Sequence, residues 1–114
     1  MVFSNLDDHN LNIYIKSITE KTDNKLHITY SKEWEYHIYK TGLISDMYIW
    51  RNIKNLKVPC LIIRAEESNA FLDSSKEKIS KLNPEIKFHT IENSTHLFPL
   101  EYPKETARVI NNFN

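Results

Sequence analysis

The stretch VPCLIIRAEES, residues 58–68, gathers Val58, Cys60, Leu61, Ile62 and Ile63 into one apolar run that ends abruptly in charge. A run without polar alternation suits a strand covered on both faces, as in a parallel sheet. The next segment, SSKEKISKLNP, predicts a helix: Ser74 and Glu77 have capping-box spacing, Ile79 and Leu82 form an apolar side, and Pro84 lies just beyond its end. EIKFHTI then alternates Ile86 and Phe88 against Lys87 and His89, as a strand does. A last helix is expected from Pro103, a residue suited to the first helical turn, with Ala107, Ile110 and Phe113 recurring at spacing three.

Strand, helix, strand, helix implies a right-handed βαβ unit with a parallel strand pair and one further helix packed back on it. Ligands and catalytic groups gather at the carboxyl ends of such strands. Loops 64–73 and 92–101 are therefore expected side by side. Glu66, Glu67 and Asp73 occupy the first, and His96 the second. A carboxylate beside a histidine can orient an imidazole as a general base. The bland alternatives are a loop histidine satisfied by one hydrogen bond and a solvated loop carboxylate.

Upstream, the pattern is less decisive. Residues 6–22 carry Leu6, Leu11, Ile13, Ile15 and Ile18, compatible with a surface helix or with a short strand at LNIYI. TDNK at 22–25 has turn composition, and LHITY continues as an extended piece. SKEWEYHIYKTG predicts a helix capped by Ser31 and stopped by Gly42, and a second helix is expected from Ser45 with Met47, Trp50 and Ile53 along one side. Trp34, Tyr48 and Trp50 could line an apolar pocket, although aromatics at helical spacing more commonly form core.

Composition narrows the function classes. The chain has 114 residues, 15 Lys+Arg and 15 Asp+Glu, so its zero formal charge offers no basic field for nucleic acid or anionic lipid. The amino-terminal residues lack a cationic, then apolar leader, and no apolar run reaches the ~18 residues of a membrane span. The expectation is a cytoplasmic chain without nucleic-acid or membrane partners, in which the NST at 93–95 is no glycosylation site. Cys60 reads as a small core residue, and His9, His27, His37 and His89 show no ligand spacing, so neither metal nor cofactor is expected. Gly42 is the sole glycine, against a usual ~7%. Phosphate-cradling loops, dinucleotide turns and nucleophile elbows all need several.

The residues further resemble the C-terminal part of an α/β-hydrolase. V-P-x-L-I-I-R-x-E at 58–66 resembles the strand that precedes the loop of the triad acid, and NSTHLFPLEYP at 93–103 resembles the catalytic-histidine loop. YSKEWEYHIYKTG and WRNIKNLKVP resemble the end of the cap region and the approach to that strand, so the match spans about 29–113. The resemblance implies an α/β fold with a cap-like helical segment at 1–57 and a C-terminal βαβα unit at 58–114. It makes His96 the counterpart of the catalytic histidine. Ser68 or Asn69 falls where aspartate usually stands and Ala65 where glycine does, leaving Glu67 as the substitute acid. Glu101 is expected to support the histidine loop or the last helix. Triad order in this fold is nucleophile, acid, histidine, yet none of Ser4, Ser17, Ser31 and Ser45 lies in G-x-S-x-G. The implied protein is therefore hydrolase-like without an elbow and inactive alone. The alternative is the C-terminal half of a split serine hydrolase, esterase or lipase in type, working with a chain that carries G-x-S-x-G. Its apolar strand pair, open at an edge, should bind that complementary half or self-associate.

Overall fold

The computed structural model describes residue 3 and residues 5–113; Ser4 lies outside them. Its elements are α1 (Asp8–Ile18), β1 (Thr19–Thr22), β2 (Lys25–Ile28), α2 (Lys32–Asn52), a 3₁₀ turn (Ile53–Asn55), β3 (Leu61–Ala65), α3 (Asp73–Leu82), β4 (Lys87–Ile91), α4 (Phe98–Glu101) and α5 (Pro103–Asn111).

The carboxyl half has the expected order. β3 and β4 pair in parallel, Leu61 opposite Lys87 through Ala65 opposite Ile91, and α3 makes the crossover. The core sits at this pair: Ala65, Ile79, Ile86, Ile91 and Val109 are buried. The strand starts at Leu61, so Val58 lies ahead of it and is exposed. Leu61, Ile62 and Ile63 are only half-buried, because this chain covers the strands incompletely.

Two helix details differ from expectation. α3 begins one residue before Ser74, with Leu72 at the cap and no side-chain cap bond, so the Ser74–Glu77 box does not form. Asp73 occupies the first turn, where a carboxylate favours the helix dipole. In α5, Pro103 takes the first turn as expected, but the buried positions are Thr106 and Val109, while Ala107 and Ile110 are exposed. A spacing of three fits neighbouring faces of a helix almost equally well, and packing against β4 selects between them.

The amino half is a helix, a hairpin and a long helix. Residues 8–18 adopt the helical alternative, capped by the Asp7 carboxylate, which accepts from the Asn10 N–H at 2.7 Å. β1 and β2 form an antiparallel hairpin whose turn residues, Asp23 and Asn24, have φ of 53° and 59°. Positive φ at both central positions is the primed turn that matches strand twist. β1 was not expected, since TEKT lacks an apolar face.

α2 runs unbroken for 21 residues through Gly42, contrary to the expected stop and restart. Ser31 caps it as predicted, accepting from the Trp34 N–H at 3.1 Å. Gly42 has no positive φ and stays helical; with no proline after it, nothing obliges the chain to leave the helix. α2 leaves Trp34 59% and Tyr48 70% exposed, so neither is core within this chain. Trp50 is half-buried under the Lys78 ammonium, 4.0 Å from its ring centroid.

Besides the Trp50–Lys78 contact, two further sets of contacts among the described residues tie this half to the other. Buried Asn83 donates through Nδ2 to the carbonyls of Ile53 (2.9 Å) and Leu56 (3.2 Å), fixing the turn after α2 to the end of α3. α1 lies against α4, and Asn5 Nδ2 donates to the Asn93 carbonyl at 3.4 Å.

Candidate functional site

The two loops at the carboxyl ends of β3 and β4 lie together, as the topology required. Backbone bonds continue past the strands: the Glu66 N–H donates to the Ile91 carbonyl (3.1 Å) and the Glu67 N–H to the Ser94 carbonyl (3.0 Å). The Glu66 carboxylate then reaches across and accepts from the Asn93 N–H at 2.8 Å. Asn93 has φ 50°, in the left-handed region that asparagine tolerates better than most residues. Its carbonyl accepts from the Tyr102 hydroxyl at 3.1 Å. Ser94 is fully buried, and its hydroxyl donates back to the Ile91 carbonyl at 2.7 Å.

Thr95 is held as firmly. Glu101 accepts its N–H at 2.7 Å and its hydroxyl at 2.5 Å, and Thr95 in turn accepts from the Leu97 N–H at 3.2 Å and, through its carbonyl, from the Phe98 N–H at 3.0 Å. Glu101 thus supports the histidine loop. Charge-assisted bonds of this kind outweigh neutral ones about twofold. His96 sits between pinned Thr95 and pinned Leu97 and presents an exposed imidazole. Among the described residues that ring makes no hydrogen bond or ion pair. Backbone rigidity with a free side chain is an arrangement that can move a proton, given a partner to move it to or from.

The candidate acids divide by environment. Glu67 is exposed beside the histidine loop, joined to it through the backbone and not through its carboxylate. Asp73 pairs with Arg64, whose guanidinium is buried while Asp73 stays 79% exposed. Arg64 and the start of α3 therefore occupy Asp73, and the structure does not bring it to His96. The Ser68 hydroxyl accepts from the Ala70 N–H within its own turn. The bracket from Glu66 to Asn93 was not foreseen, nor were the roles of Ser94, Thr95 and Tyr102. The only sequence signal was an Asn-Ser-Thr turn preceding the histidine.

The remaining histidines give no metal centre: among the described residues no group of three or more His, Cys, Asp and Glu side chains could hold an ion. His89 lies on β4 with Nε2 3.7 Å from Glu105 Oε1, which is also 3.8 Å from Arg108. Among the described residues no helix is long and apolar enough to cross a membrane.

A parallel strand pair joined through a helix, with the loops after the two strands bonded to each other at its carboxyl edge, defines an α/β architecture. The fold is that of the C-terminal part of an α/β-hydrolase. The crystal structure of E-2-(acetamidomethylene)succinate hydrolase is similar over 97% of this chain and 40% of its own, with TM-score 0.84 and 23% identity. A marine microorganism esterase is similar over 96% of this chain and 41% of its own, with TM-score 0.58 and 18% identity. The chain thus spans about 40% of the length of these two solved structures. No family model matches the sequence, and no curated protein matches it.

Proposed function

We propose that this chain is a truncated α/β-hydrolase-like protein that lacks the nucleophile elbow and performs no hydrolysis alone. The observation that carries the proposal is the position of its one glycine. Gly42 lies mid-helix in α2, no serine of the chain stands in a G-x-S-x-G turn, and no second glycine is present to build one. Without that turn there is neither an exposed nucleophilic hydroxyl nor the pair of backbone N–H groups that stabilises an oxyanion, usually the largest contribution to acyl transfer.

A second reading is favoured by the order retained around His96. Loops 64–73 and 92–101 are braced by bonds to the Glu66 and Glu101 carboxylates, while large apolar side chains such as Leu26, Trp34, Tyr39 and Tyr48 stay exposed. Both features fit a split serine hydrolase, in which a complementary polypeptide brings the elbow and oxyanion loop. His96 would then take the serine proton and return it to the leaving group, and Glu67 is the loop carboxylate available to orient the imidazole.

Both readings are tested by incubating the chain with a fluorophosphonate and a short-chain aryl ester, alone and coexpressed with a hydrolase amino-terminal half that carries G-x-S-x-G. No adduct and no turnover are expected for the chain alone. Turnover by the mixture that is lost in His96→Ala establishes the split enzyme. Turnover by the chain alone, lost in the same variant, overturns the proposal.

A further inference from the structure

At the amino ends of β3 and β4, opposite to His96, lies a groove of about 290 Å³. Five residues of strand at ~3.3 Å each set it some 16 Å from the histidine loop. Leu56, Val58, Pro59, Cys60 and Phe113 give it an apolar lining, and Lys54, Lys57 and Lys87 stand around it against one carboxylate, Glu85. Among the described residues none of these lysines forms an ion pair. The Lys87 ammonium lies 5.6 Å from the Phe113 ring centroid, so cation and aromatic surface meet at one wall.

The walls come from separate segments that are already tied together. Asn83 is buried, donates to the carbonyls of Ile53 and Leu56, and accepts from the Glu85 N–H at 3.2 Å. The Lys87 N–H donates to the Cys60 carbonyl at 2.9 Å. A preformed concavity loses little entropy on binding, and its volume is near the lower end of ligand pockets, roughly 300 Å³. In a chain of zero formal charge, three lysines against one carboxylate, set beside apolar side chains, favour an anion with an apolar body.

We infer that this groove binds a small organic anion, an aromatic or short aliphatic body bearing a carboxylate or phosphate. The body lies on Phe113, Val58 and Cys60, and the anion is held by the lysines. This site is separate from the histidine loop and does not depend on how that loop is used.

Cys60 is the chain's only cysteine and lines the groove, so its alkylation by iodoacetamide reports occupancy. Phenyl phosphate and phenylacetate test the two anions; inorganic phosphate and benzyl alcohol carry the charge and the body separately. At least one aromatic anion should slow alkylation about threefold or more at ~10 mM, with the separate parts doing much less, and raising salt from about 20 to about 300 mM should weaken the protection. The triple variant Lys54→Gln, Lys57→Gln, Lys87→Gln should lose the protection, whereas Lys76→Gln with Lys81→Gln on α3 should keep it. Whichever aromatic anion protects identifies the head group. No protection by either anion, protection equal to that of benzyl alcohol, or protection insensitive to salt would overturn the inference. The salt series uses the unsubstituted chain, so it decides the matter even where the triple variant does not fold.

Discussion

At the scale of single residues, the histidine loop is held from both sides by carboxylates. Glu101 accepts two bonds from Thr95, and Glu66 accepts one from Asn93. Removing a charged acceptor from a part-buried pair typically costs ~1.5–3 kcal/mol. Glu101→Ala should therefore lower stability by about 2 kcal/mol in urea unfolding and speed amide exchange at Thr95 and Leu97, while His96→Ala, whose ring bonds to nothing described, should change stability by less than ~0.5 kcal/mol. Ile91 is fully buried beneath the loop, and Ile91→Ala should cost ~2–5 kcal/mol by leaving a cavity. The sequence allowed His96 to be put in the loop after β4 and left Glu101 as support for either that loop or the last helix; its bonds to Thr95 select the loop. It did not disclose Glu66 as a brace, since that bond exists only once Asn93 turns left-handed and β3 lies beside β4.

At the scale of elements, local signals succeeded where they were chemical and failed where they were permissive. Ser31 caps α2 through a specific bond, and Pro103 starts α5 through its fixed φ. Gly42 allows a left-handed stop without compelling one, and α2 passes through it. A Cβ added at Gly42 would meet nothing within 4 Å. Gly42→Ala should accordingly raise helicity and stability by roughly 0.5–1 kcal/mol, measured by circular dichroism and urea unfolding. A loss of stability would mean that α2 does not run through residue 42. The expected Ser74–Glu77 box failed for a related reason: spacing of that kind fits more than one register, and α3 begins at Asp73, whose carboxylate pairs with Arg64.

At the scale of the whole molecule, surface and shape set the chain apart from a self-sufficient domain. Its accessible surface is 9199 Å², whereas a compact monomer of 13.6 kDa exposes about 6,600 Å². Its radius of gyration is 17.0 Å, against about 13 Å for a globule of this length. The surplus of about 2,600 Å² is of the order buried in obligate interfaces, and it includes Leu26, Trp34, Tyr39, Met47 and Tyr48. The purified chain should therefore bind a hydrophobic dye and sediment with a concentration-dependent mass; a dye-negative monomer with a sharp melt would contradict incomplete cover. Incomplete cover of β3 was legible in advance, because a run such as CLII needs two covered faces and the chain offers few elements to cover them. The extent of exposure along α2 was not, since aromatics at helical spacing more commonly form core, and Trp34 and Tyr48 depart from that. The central claim, that this chain holds a proton-moving histidine but no nucleophile, is tested most directly by intact mass spectrometry after exposure to a fluorophosphonate. An unmodified mass is expected; a single adduct on one side chain, abolished by His96→Ala, would contradict the claim.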